Sequence, residues 1–110
     1  MSLTLYGLKN CDTCKKALKA LEASGKTVAF VDIRDNTELS AKVPAWLAAT
    51  GADKLVNKRS TTWRSLSDVE RSGDPEPLLI ANPTLIKRPV IEAGSATYVG
   101  WTKDVETALK

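Results

Sequence analysis

The sequence predicts an α/β domain with a strand–helix–strand start, an all-helical insertion between the second strand and an Arg-Pro strand, and a closing hairpin and helix. Three observations carry that expectation. Runs of β-favouring residues at 3–6 and 27–31 flank a stretch whose apolar residues recur at helical spacing. From residue 37 to 82 the pattern is helical throughout, and after residue 84 β-like residues resume on both sides of Pro89 and again at 97–99. A chain of 110 residues, 43% hydrophobic and 26% charged, suits one compact domain. It is read as a core over 1–34 and 84–110 with an insertion over 37–82.

Leu3-Thr4-Leu5-Tyr6 alternates as a strand does and stops at Gly7. The helix that follows is expected to be capped by Asp12 or Thr13. It buries Cys14, Ala17, Leu18 and Leu21, wets Lys15, Lys19 and Glu22, and closes at Gly25. Residues 27–31 read as a buried strand ending at Asp32, so the start is a βαβ unit with a right-handed crossover. Residues 39–50 read as a helix stopped by Gly51, with Leu55-Val56 leading into the polar run 57–62 and a short helix over 66–71. Residues 72–77 are a loop by composition, and 78–81 add a helical turn. Residues 85–91 read as strand, proline, strand; Gly94-Ser95 turns the chain back onto 97–99, and a helix over 102–109 ends it. Trp46 and Trp101 read as core or hydrophobic-rim residues.

Composition excludes several chemistries. A domain of this size buries roughly two thirds of its unfolded surface, so neither cysteine is needed as a staple. Histidine is absent, which removes Cys-His and Ser-His pairs and any imidazole acid or base. Two cysteines without histidine do not complete a structural zinc site in one chain. The net charge of +3 is local: residues 9–26 hold five lysines against Asp12 and Glu22, and the remainder is balanced. Such a field attracts a small anion and is too small for duplex nucleic acid. With no signal-type or membrane-spanning run at the start, the reading is a cytoplasmic monomer with no bound cofactor, no metal and no membrane association.

The sharpest motif is Asn10-Cys11-Asp12-Thr13-Cys14, a CxxC between the first strand and first helix. A cysteine there faces unpaired backbone N–H groups and the positive end of a helix dipole, which favour thiolate. Cys14, nearly one turn on, is spaced to resolve a mixed disulfide formed at Cys11. A dipole contribution of about 0.3–1 kcal/mol is less than one pKa unit, so a cation from elsewhere is required: Arg59, Arg64 or Arg88. The alternatives are a metal-binding pair, or an idle loop thiol beside a small buried apolar one. In Arg59-Ser60-Thr61-Thr62-Trp63-Arg64, two guanidinium groups bracket hydroxyls and an indole. That suits planar contact with an oxyanion, or Trp63 simply anchors the insertion to the core. Arg88, taken alone, reads equally as a surface residue on an edge strand.

Residues 5–17, 55–64 and 85–91, in this order and spacing, resemble the arsenate reductase (ArsC) family, specifically its Spx/MgsR/YffB-like branch, over nearly the whole chain. The resemblance implies a thioredoxin-like core interrupted by the helical insertion, with Cys11 as the catalytic cysteine; YffB-like members often carry only this first cysteine, whereas Spx-like regulators carry a CxxC redox switch as at Cys11 and Cys14. It implies a cis Arg88-Pro89 peptide, Arg88 as the oxyanion-binding arginine beside Pro89, a second anion contact where the family's insertion arginine falls, at Asn57 or Arg59 depending on the alignment, and Asn10 and Thr13 lining the site. The family's arginine after the last hairpin has no counterpart near Val99-Gly100. The implied activity is a glutathione-dependent thiol reductase, glutathione serving as co-substrate. The first alternative is an Spx-like redox-sensing regulator that binds the RNA polymerase α subunit, its contacting glycine falling at Gly51. The second is an arsenate reductase.

Overall fold

The computed structural model describes residues 2–34 and 38–110. The chain divides into two compact units, residues 1–36 with 88–110, and residues 37–87. The expected first residue of the insertion, 37, lies outside the described residues.

In the first unit, β1 (Ser2–Gly7) leads through a turn into α1 (Asp12–Ala23), which returns the chain to β2 (Thr27–Asp32). The two strands pair in parallel, with Leu3 opposite Val28 and Leu5 opposite Phe30, a pairing that requires a crossover helix. Helix α1 starts earlier than a cap at Asp12 or Thr13 would place it, by one or two residues respectively. Its N-cap is Cys11, in extended conformation and with no side-chain capping bond, so Asp12 is the first helical residue rather than the cap.

The second unit holds α2 (Leu39–Thr50), α3 (Ala52–Leu55), α4 (Thr61–Ser65), α5 (Asp68–Arg71) and α6 (Pro75–Ala81). Gly51, at φ 87°, joins α2 to α3 in a left-handed conformation that glycine adopts freely. Three of these helices are set by their caps. Ser60 Oγ accepts from Trp63 N at 3.1 Å, Ser67 and Glu70 form a reciprocal capping box, and Asp74 accepts from Glu76 N at 3.1 Å ahead of Pro75. Expectation and structure differ here. The polar run 57–62 and the loop 72–77 both contain helix starts, and the helix expected over 66–71 begins only at Asp68. Helix α6 packs on α2, and Val43, Trp46, Leu55, Leu79, Leu85 and Ile86 are fully buried.

The strand expected from residue 85 is also corrected. Residues 83–85 form a 3-10 turn, and Ile86 makes only an isolated bridge to Val56. Asn57 N donates to Leu85 O and Lys87 N to Leu55 O, both at 2.7 Å. These bonds, with the burial of Leu85 and Ile86, place 84–87 with the helical unit rather than with the sheet.

The first unit resumes at Arg88. Strands β3 (Val90–Ala93) and β4 (Ala96–Val99) form an antiparallel hairpin, and α7 (Lys103–Leu109) follows, capped by Thr102. β3 pairs antiparallel with β1, Leu5 opposite Ile91, which makes a four-stranded sheet in the order β2-β1-β3-β4. One face of the sheet carries Leu3, Leu5 and Ile91 against Cys14, Ala17 and Leu21 of α1 and Leu109 of α7; Val28, Phe30, Tyr98, Trp101 and Val105 pack around them. This is a thioredoxin-like arrangement, with the β1–α1 turn at the end of a central strand. No helix among the described residues is long and apolar enough to cross a membrane.

Candidate active site

The turn after β1 sets the site. Cys11 N donates to Leu8 O at 3.2 Å, and Cys11 O accepts from Lys15 N at 3.0 Å. The Cys11 backbone therefore starts the helix while its side chain stays out of it. Cys11 is half-buried and Cys14 fully buried, and both thiols are free. The i, i+3 spacing turns Cys14 inward with Ala17 and Leu21. It brings the two sulfurs together.

Their electrostatics diverge. Burial pushes the Cys11 thiol up. Hydrogen bonds from the Cys14 thiol and the Cys14 backbone N–H, with the charge of Arg88 and a hydrogen bond from it, outweigh burial and bring Cys11 below its ordinary value. Cys14 goes the other way, to about 12. Burial is the largest cause, a hydrogen bond from the Leu8 backbone opposes it, and the hydrogen bond to Cys11 and the Cys11 charge add to it. One sulfur is thus prepared as thiolate and its neighbour as thiol.

Arg88 is the cation that the helix dipole alone required. It precedes β3 in the same unit as the cysteines, joined to the buried Pro89 through a cis peptide. The Pro89 carbonyl accepts from Gly100 N at 2.7 Å, which ties this bend to the end of β4. Asn10 and Thr13 flank Cys11 and are exposed, as are Asp12, Lys9, Lys15 and Lys16.

Arg59 and Arg64 belong to the other unit. Arg59 is exposed in the turn before α4, its backbone N–H donating to Asn57 Oδ1 at 3.2 Å. Trp63 is half-buried rather than a full core anchor. Lys58 Nζ and Arg71 Cζ each lie 5.9 Å from its ring centre, and Arg71 Nε donates to Trp63 O at 3.1 Å. Among the described residues, no group of three or more His, Cys, Asp or Glu side chains is arranged to hold a metal.

Gly7 reads in the sequence only as a strand terminator, whereas in the structure it lies against the Cys14 sulfur. A glycine at the end of the strand that feeds a CxxC was the available signal.

The sequence profile of the ArsC family matches residues 6–108. The chain belongs to the ArsC family. An ArsC-related protein from Brucella melitensis is 35% identical, with a TM-score of 0.78 over 98% of this chain and 93% of that one. The solved structure of a YFFB protein is 32% identical, with a TM-score of 0.89 over 97% of each chain. An uncharacterized protein of Haemophilus influenzae is 43% identical over 106 residues, 92% of each chain. The ArsC-family fold, with a cysteine at the mouth of its first helix, supports a thiol–disulfide oxidoreductase.

Proposed function

We propose that the protein is a thiol–disulfide reductase that uses Cys11 as nucleophile and Cys14 as resolving thiol, with glutathione as its reducing co-substrate. The observation that carries this reading is the division of labour between the sulfurs: Cys11, accessible and lowered by Cys14 and Arg88, stands beside a buried thiol held protonated. The Cys11 thiolate attacks one sulfur of a substrate disulfide, forming a mixed disulfide and expelling the other half as a thiolate. Cys14 gives up its proton and attacks Cys11 Sγ, the mixed disulfide breaks, and the remaining substrate half leaves as the second thiolate. Two electrons have passed to the substrate and one intramolecular disulfide has formed. Two glutathione molecules return the dithiol and leave as oxidised glutathione.

Glutathione suits the charges around Cys11. Its carboxylates match the Arg88 guanidinium, which binds planar anions well, and exposed Lys9, Lys15 and Lys16 give the approach a positive field.

The test is titration of purified protein in glutathione redox buffers, followed by intact mass, for wild type, Cys11→Ser and Cys14→Ser. Wild type is expected to lose two hydrogens, Cys14→Ser to trap one glutathione on Cys11, and Cys11→Ser to do neither and to lose reductase turnover. Full turnover by Cys11→Ser overturns the reading.

A further inference from the structure

Gly7 ends β1, on the same sheet face as Leu3 and Leu5 and opposite Asp32 of β2. Its φ is not among the positive ones, which belong to Gly25, Gly51, Gly94 and Gly100. The backbone there does not demand glycine. Space does. A Cβ at position 7 would stand 2.5 Å from Cys14 Sγ and 3.2 Å from Cys14 Cβ, with Leu5 Cδ2 at 3.5 Å.

The nearest of these contacts is the second thiol. We infer that Gly7 is a positioning residue for the dithiol: its missing side chain is the seat of the Cys14 sulfur, and this seat holds Cys14 where it can close onto Cys11. The inference rests on the dithiol reading above and goes beyond it, because it names the residue that sets the rate of the resolving step.

The physical reason lies in how a helical cysteine can move. Side chains on a helix occupy few staggered wells, so an intruding methyl does not nudge the sulfur by tenths of an ångström. It pushes the sulfur into another well, over more than the disulfide bond length of about 2 Å. The surrounding Leu3, Leu5, Ala17 and Leu21 are themselves close-packed and give little. In the resolving step the Cys14 thiolate must reach Cys11 Sγ in line with the bond to the departing thiolate, and that geometry is what the displaced rotamer loses.

The experiment uses the full chain and the chromogenic disulfide dithiobis(nitrobenzoate), without denaturant. Attack by Cys11 releases one coloured thiolate and leaves the other half on Cys11. Attack by Cys14 releases the second as the intramolecular disulfide forms. Wild type is expected to release two in separate phases, and Cys14→Ala only the first. Gly7→Ala should release the first thiolate no more slowly than Cys14→Ala, which also lacks the Cys14 hydrogen bond to Cys11, and slow the second by roughly a hundredfold.

The double variant Gly7→Ala/Cys14→Ala separates positioning from a general structural role. With the sulfur gone, its first phase should match that of Cys14→Ala. Should Gly7→Ala alone fail to fold, the double variant must fold, since the 2.5 Å contact is then removed and only the 3.2 Å Cβ contact remains. A wild-type second phase in a folded Gly7→Ala protein overturns the inference, as does a folding loss that Cys14→Ala does not relieve. A single release from wild type overturns the dithiol reading itself, before Gly7 is involved.

Discussion

Alkylation of the reduced protein with iodoacetamide should distinguish the two cysteines sharply. Only thiolates react at useful rates. Against an ordinary thiol at 9.0, Cys14 pushed up to about 12 is ionised about a thousandfold less at neutral pH. Cys11, lowered, is ionised more than an ordinary thiol. The rarer Cys14 thiolate is also the more nucleophilic one, so the ratio of their rates at about pH 7 should still exceed roughly thirtyfold before any steric shielding of Cys14 is added. Followed by intact mass and peptide mapping, wild type should take up its first label on Cys11, with Cys14 following only in protein already labelled there. The pH profiles should differ as well. The Cys11 rate levels off below the ordinary thiol range, because its thiolate is already formed, while the Cys14 rate goes on rising tenfold per pH unit well beyond it. Labelling of Cys14 within tenfold of Cys11 in the folded protein would refute the argument, since desolvation and the Cys11 charge would then not be holding its proton.

Two further outcomes follow from the same geometry. Arg88→Gln removes the guanidinium that stabilises the Cys11 thiolate, so the midpoint of its alkylation profile should rise. Its reaction with oxidised glutathione should also become less dependent on salt, checked by stopped-flow at low and high ionic strength. Cys14 has a higher pKa folded than unfolded, so between about 9 and 12 the unfolded chain loses a proton that the folded chain keeps, and stability falls as pH rises. The contribution reaches at most about 1.4 kcal/mol per pH unit, and denaturant unfolding of Cys14→Ala should show a correspondingly shallower alkaline decline.

How much was legible in the sequence depended on how local each signal was. The strand–turn–helix around Cys11-Asp12-Thr13-Cys14 is written in consecutive residues, and its cysteine spacing fixes which thiol faces the core. The βαβ start and the closing hairpin carry periodicities long enough to read. Helices α3, α4 and α5 do not: four or five residues hold barely one turn, and α4 and α5 exist because Ser60 and Ser67 satisfy backbone donors at their starts. Residues 85 and 86 have β-favouring side chains, yet their burial in the helical unit decides their conformation. At the site, Arg88 was legible only through its place beside Pro89. Gly7 was not, because its meaning is a distance to Cys14, seven residues on and across a turn, that no spacing rule encodes.

The pairing of the thiols also imposes an order of events. Two of the influences that keep the proton on Cys14 come from Cys11 itself: its hydrogen bond and its negative charge. Both vanish once Cys11 is capped by half of a substrate disulfide. What remains is burial, opposed by the Leu8 backbone and by Arg88, whose charge the capped Cys11 no longer neutralises. The second thiol is therefore latent in the resting protein and is released by the chemistry of the first. Stray oxidants meet a single reactive sulfur, and closure is triggered only by a turnover that has already begun.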